Sequence, residues 1–239
     1  MRPQERLIVA LDVDSLEKAK QLVEILAPHV GAFKVGMQLY NSVGPEIIYK
    51  LKEFGTDLFI DLKLHDIPNT VAQASRVLTA HGANILNVHA AGGSEMMRAA
   101  ALAVREEASD KDIPKPLVIA VTVLTSISQV AFNKEIGFTG EIQERVVAWA
   151  RLAQDAGLDG VVASPWEISA IRQACGREFV IITPGIRPVG GDIHDQKRVM
   201  TPKEAVAAGA TYIVVGRPIT GSLDPVEAAK YIVNEISMV

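Results

Sequence analysis

Cysteine is nearly missing from this chain of 239 residues: Cys175 stands alone, so neither an intrachain disulfide nor a cysteine-based metal cluster can be built. The reducing cytoplasm is the expected compartment. Long apolar runs are missing too: none approaches the length needed to span a bilayer, and the run in MRPQERLIVALDVDS stops at Asp12, too soon for a secretory core. Positive charge is not in excess. A formal net charge of −4 and a pI near 5.8 give no general attraction for nucleic acid or an anionic membrane, so any anion must be met by a local pocket. A glycine-rich GxGxxG loop is absent where a Rossmann dinucleotide site would need it, since the first such loop reads DVDSLEKA. His29, His81 and His194 show no metal-ligand spacing.

What is present is an ordinary core-forming composition, 49% hydrophobic and 22% charged, large enough for one sizeable domain. Apolar, β-branched runs occur at 7–13, 31–37, 57–64, 84–90, 117–124, 160–164, 179–184 and 212–217, each suited to a strand buried on both faces. Segments with helical periodicity lie at 15–27, 43–54, 69–80, 94–108, 141–156, 165–174, 201–208 and 224–236. Eightfold βα alternation at about this length predicts a closed (β/α)8 TIM barrel, one α/β domain over residues 1–239. Active sites of such barrels sit at the C-terminal ends of the strands.

Charged residues collect where that rule places a site. Asp12 and Asp14 end strand one, Lys34 lies in strand two, and FIDLKLHDIPNT puts Asp61 and Lys63 on strand three with His65 and Asp66 just after. Asn87 and His89 end strand four, and Thr122 and Thr125 belong to strand five. Period-two spacing points Asp61 and Lys63 to one side. Two readings stand: buried ion pairs tying neighbouring strands, or an active site. Such pairs are often neutral or costly for stability, so four charges at one rim, Asp12, Lys34, Asp61 and Lys63, favour the second. Late in the chain, TPGIRPVGGDIHDQKRVMTP predicts a long loop, a lid over about 186–200, followed by a helix capped by Thr201 with Pro202 first. Strand eight ends in Gly216 and Arg217, where barrels commonly bind phosphate. Arg217 reads either as a phosphate fork or as a surface arginine beside a turn.

These stretches carry a resemblance. DLKLHDIPNT at 61–70, with ALDV, FKVG, TVLTS, PGIR, DQKR and VVGRPIT in order along the chain, resembles the orotidine 5′-phosphate decarboxylase family in its shorter bacterial form. The resemblance implies decarboxylation of orotidine 5′-monophosphate to uridine 5′-monophosphate in pyrimidine synthesis, without cofactor or metal. It implies an alternating charged array of Lys34, Asp61, Lys63 and Asp66, and a homodimer in which Asp66, Ile67 and Thr70 reach the partner's site. Asp12 and Lys34 are implied at the ribose hydroxyls, Thr125 and Pro184 at the pyrimidine, and Gln196, Gly216, Arg217 and Arg187 on the phosphate side.

Residue chemistry suits that reaction. Loss of CO2 from C6 leaves an electron pair in an in-plane orbital, and the Lys63 ammonium can stabilise it and then deliver a proton. Sugar-phosphate decarboxylases and hexulose-phosphate synthases share the DxKxxD but use magnesium and an acidic ligand on strand two, where this chain has Lys34, a poor metal ligand. A phosphometabolite sensor without turnover is the other alternative. Simpler expectations attach to the remaining residues: His65 and His89 as packing or hydrogen-bonding groups, Trp149 and Trp166 in the outer layer, Cys175 inert, and Asn69 as a helix N-cap.

Overall fold

The computed structural model describes residues 1–188 and 200–239. Eight parallel strands, β1 (Leu7–Ala10), β2 (Ala32–Gly36), β3 (Asp57–Leu64), β4 (Ile85–His89), β5 (Leu117–Val121), β6 (Gly160–Val162), β7 (Val180–Thr183) and β8 (Tyr212–Val215), close into a barrel in sequence order. The ring is completed by β8 pairing with β1, Leu7 opposite Ile213. Around it run α1 (Leu16–Leu26), α2 (Met37–Val43), α3 (Glu46–Lys52), α4 (Pro68–Ala80), α5 (Gly93–Asp110), α6 (Gln129–Lys134), α7 (Ile142–Asp155), α8 (Ile168–Cys175), α9 (Pro202–Ala208), α10 (Arg217–Thr220) and α11 (Pro225–Ile236). The predicted (β/α)8 barrel is the observed fold.

Strand alternation divides the core in two. Ile8, Ala10, Ala32, Phe59, Ile85, Ile119, Ile182 and Val214 fill the barrel interior. Their neighbours in sequence, such as Leu7, Val9, Phe33, Val35, Leu58 and Ile60, pack outward against the helices. Both faces of each strand are therefore apolar, which is why the strands read as continuous hydrophobic runs. Gly160 lets β6 close on β7, because a Cβ there would overlap the Val180 carbonyl. No helix among the described residues is long and apolar enough to cross a membrane.

Several boundaries differ from expectation. The helix predicted over 43–54 is α3, which starts later, at Glu46, because Gly44 at φ +87° followed by Pro45 ends the preceding α2 at Val43. Strands one, five and eight stop two or three residues early, and their tails become rim loops. Three short helices, α2, α6 and α10, have no counterpart among the expected segments. Asn69 is not the N-cap of α4: Ile67 holds that position without a side-chain cap, Pro68 comes first, and Asn69 lies inside the helix. Thr201 does cap α9, in a reciprocal capping box with Glu204 and with Pro202 first. Trp149 packs beside the core, whereas Trp166, expected in the outer layer, is 59% exposed in a short 3-10 turn after β6.

Candidate active site

The C-terminal mouth of the barrel gathers the charges. Lys34 follows the inward phase of Ala32 on β2, and Asp61 follows that of Phe59 on β3, so each strand carries a charged side chain one step above the apolar interior. Lys34 Nζ stands 3.4 Å from Asp61 Oδ2 and 3.4 Å from Asp12 Oδ1. Lys63 Nζ donates to Asp61 Oδ1 at 2.7 Å. Asp12, Lys34, Asp61 and Lys63 thus form one continuous network.

Period-two spacing alone does not produce the last contact. The β3–β4 register shifts between Ile60 and Leu64, and Lys63 sits in the left-handed region at φ +53°. For a residue with a Cβ that conformation costs about 1–2 kcal/mol and needs support from its surroundings. Asn87 on β4 supplies it: its Oδ1 accepts the Lys63 backbone N–H at 2.8 Å, and its Nδ2 donates to Asp61 Oδ1 at 2.7 Å. Asn87 is 1% exposed. From the sequence alone Asn87 is only a residue near the end of strand four. The available signal was a buried amide in an otherwise apolar strand.

Electrostatics follow from this geometry. Burial pushes the Asp61 carboxyl up, but the charges of Lys34 and Lys63, with hydrogen bonds from Lys63 and Asn87, outweigh it and hold the group below the usual carboxylate range. His89 stacks on His65 with ring centroids 5.3 Å apart and meets Trp149 edge-on. Burial, then His65 and Lys63, press the His89 imidazole below its ordinary value, and its Nδ1 accepts from the Ala91 N–H at 3.3 Å. These contacts fit the expected packing role.

Beside the charges lies a cavity of about 240 Å3. Its floor is apolar, from Phe59, Val121, Val162 and Val214, and its walls include Thr125 and Pro184, with Lys34, Asp61 and Lys63 on one side. Thr122 does not join it: its hydroxyl is buried and donates to the Val162 carbonyl. The loops after β7 and β8 bring two arginines near one another. Arg187 is anchored through its backbone N–H to the Met200 carbonyl and through Nη1 to the Ile186 carbonyl, beneath a bridge joining Ile186 to Met200. Burial and then the Arg217 charge press the Arg187 guanidinium below its ordinary value, a cost that an arriving anion would relieve. Arg217 opens α10 directly after Gly216, and a Cβ on Gly216 would come within 3.4 Å of Asp12 Oδ2.

Three expected site residues stand apart. Asp66 and Ile67, on the turn into α4, and Thr70, in its first turn, are exposed, and Asp66 Oδ1 accepts the Ile67 N–H at 2.6 Å. Asp66 makes no ion pair with Lys34 or Lys63 among the described residues. Gln196, most of the expected lid over 186–200, and His194 lie outside the described residues. Among the described residues, no three His, Cys, Asp or Glu side chains group to hold a metal ion. Burial raises the Cys175 thiol.

A sequence profile of the orotidine 5′-phosphate decarboxylase / HUMPS family matches residues 5–232. The chain is 56% identical over 239 residues to a Moorella thermoacetica protein named orotidine 5′-phosphate decarboxylase, covering 100% of this chain and 95% of that one. It is 55% identical to a protein of the same name from Syntrophomonas wolfei, over 99% of each. The crystal structure of orotidine 5′-phosphate decarboxylase from Lactobacillus acidophilus superposes with a TM-score of 0.84 at 38% identity, over 96% of this chain and 98% of that one. By sequence over nearly its whole length and by fold, the chain belongs to the orotidine 5′-phosphate decarboxylase / HUMPS family.

Proposed function

We propose that the protein decarboxylates orotidine 5′-monophosphate to uridine 5′-monophosphate and CO2, the last step of de novo uridine 5′-monophosphate synthesis, without cofactor or metal. The observation that carries this reading is the Lys63 ammonium, fixed by Asp61 at the edge of the apolar-floored cavity. The pyrimidine ring occupies that cavity against Thr125 and Pro184. Asp12 and Lys34 meet the ribose hydroxyls. Arg187, Gln196, Gly216 and Arg217 hold the phosphate, whose binding energy draws the 186–200 loop closed and so contributes to the transition state.

In the chemical step the C6–carboxylate bond breaks with its electron pair left on C6, and the ring π-system cannot take up that in-plane charge. The Lys63 ammonium faces the developing carbanion, stabilises it electrostatically, and gives C6 a proton. The neutral amine that remains is reprotonated from solvent. Asp61 orients Lys34 and Lys63 through its two oxygens, and beside the departing carboxylate its repulsion is relieved as CO2 forms. In a homodimer Asp66, Ile67 and Thr70 complete the partner's site, consistent with their exposure on the α4 turn. Cytoplasmic localisation belongs to the same reading.

The magnesium-dependent sugar-phosphate reading is disfavoured by Lys34, a cation 3.4 Å from Asp61 where those enzymes need an acidic ligand. Ultraviolet-monitored turnover of orotidine 5′-monophosphate by EDTA-treated protein tests the proposal. Uridine 5′-monophosphate should form without metal, and Lys63→Ala should abolish detectable turnover while the far-ultraviolet circular dichroism stays native. Near-normal turnover by that variant would end the role given to Lys63. Tight nucleotide binding without turnover by the unaltered chain would point to a sensor.

A further inference from the structure

We infer that Asn87 is the positioning residue for Lys63: its side-chain amide fixes both the left-handed backbone that carries the lysine and the carboxylate that receives its ammonium. The inference rests on the reading of Lys63 as the acid at C6.

Three bonds form a closed ring. The Lys63 backbone N–H goes to Asn87 Oδ1 at 2.8 Å, Asn87 Nδ2 goes to Asp61 Oδ1 at 2.7 Å, and Lys63 Nζ returns to that same Asp61 oxygen at 2.7 Å. The lysine is therefore held at both ends of its flexible stem, each end referenced to one amide on the neighbouring strand. Only one orientation of that amide satisfies the ring, because a backbone N–H demands an acceptor and a carboxylate demands a donor. An amide is also the economical choice. A carboxylate at 87 would keep the backbone bond and repel Asp61, and an apolar side chain would lose both bonds.

A residue needed only to satisfy the irregularity in β3 would require the acceptor alone. Here the donor is aimed at the carboxylate of the charged network and shares an oxygen with Lys63. Asn87 is 1% exposed and is not part of the cavity wall, so it acts through Lys63 and Asp61 rather than by touching substrate. Misplacing a reacting group by about 1 Å can cost roughly 10²-fold in rate.

The test compares Asn87→Ala, Asn87→Asp and Lys63→Ala by kcat, KM, melting temperature and the pH profile of kcat. Asn87→Ala should lower kcat by about 10²-fold with KM within about threefold of wild type. Asn87→Asp keeps the acceptor for the backbone bond but buries a carboxylate against Asp61, so melting temperature and circular dichroism establish its fold before its kinetics are compared. Its kcat should still fall, and the acid limb of its profile should move to higher pH, as Asp61 loses a donor and gains a negative neighbour. Wild-type kcat and pH profile in Asn87→Asp would reduce Asn87 to a structural support and overturn the inference. Turnover by Lys63→Ala would instead overturn the underlying reading, so the two failures are distinguishable.

Discussion

At Asp61 two lysines and an amide converge on one carboxylate, and the consequences for stability have a definite sign. Its folded value lies below the ordinary carboxylate range, so its charged form stabilises the fold above the unfolded value, and that stabilisation is lost as pH falls through the folded one. With the side chain 14% exposed, removing its charge leaves Lys63 without its carboxylate partner and Lys34 with Asp12 alone. Asp61→Asn should therefore destabilise the protein by about 3 kcal/mol near neutrality. Thermal melts at a series of pH values check this, and the gap between variant and wild type should close in acid. A gap independent of pH would mean that the carboxylate's charge is not what stabilises this rim. The types of these residues and their strands were legible in the sequence, because charges inside apolar runs are conspicuous. Their distances were not. Lys63 reaches Asp61 through a left-handed turn supported from β4, and no single-strand pattern reveals a cross-strand partner such as Asn87.

Among the elements, the loops after β7 and β8 carry the phosphate side of the proposal. Arg217 heads α10 within electrostatic reach of Arg187, while Arg187 is fixed at the foot of the preceding loop by backbone and side-chain bonds. Arg217→Ala should lower kcat/KM by roughly 10²-fold, about 2–3 kcal/mol for charge-assisted bonds, and Gln196→Ala should do less. Steady-state kinetics read both, and an unchanged kcat/KM in Arg217→Ala would remove that residue from the phosphate site. The α9 cap that closes the same loop offers a separate test. Thr201→Ala breaks the capping box with Glu204 and should cost about 1 kcal/mol in stability, seen as a lower melting temperature. This cap was legible from TPKE alone because capping is local chemistry. The division at Gly44–Pro45 was obscured by apolar residues on both sides, and α6 was hidden in a loop whose contacts, Phe138 against Phe132 and Trp149, come from outside its own periodicity.

For the whole molecule, the barrel explains why one chain assembles Asp12, Lys34, Asp61 and Lys63 at a common mouth yet leaves Asp66 outside it. The start of α4 carries Asp66, Ile67 and Thr70 outward, and Ile67 is 68% exposed, an apolar side chain free to be covered by a second surface. The proposed homodimer accounts for both facts through twofold exchange of the turn. Mixing two inactive variants tests this. In a hybrid of Lys63→Ala with Asp66→Ala, a site using Lys63 of one chain and Asp66 of the other has one fully native copy and one doubly altered copy. If Asp66 instead served its own chain, every site in the hybrid would carry one lesion and stay inactive. Random reassociation should thus restore about a quarter of wild-type activity, because half of the dimers are hybrids and each has one native site. No recovery, with hybrids verified by native mass spectrometry, would assign Asp66 to its own chain and leave the exposed turn without its proposed role.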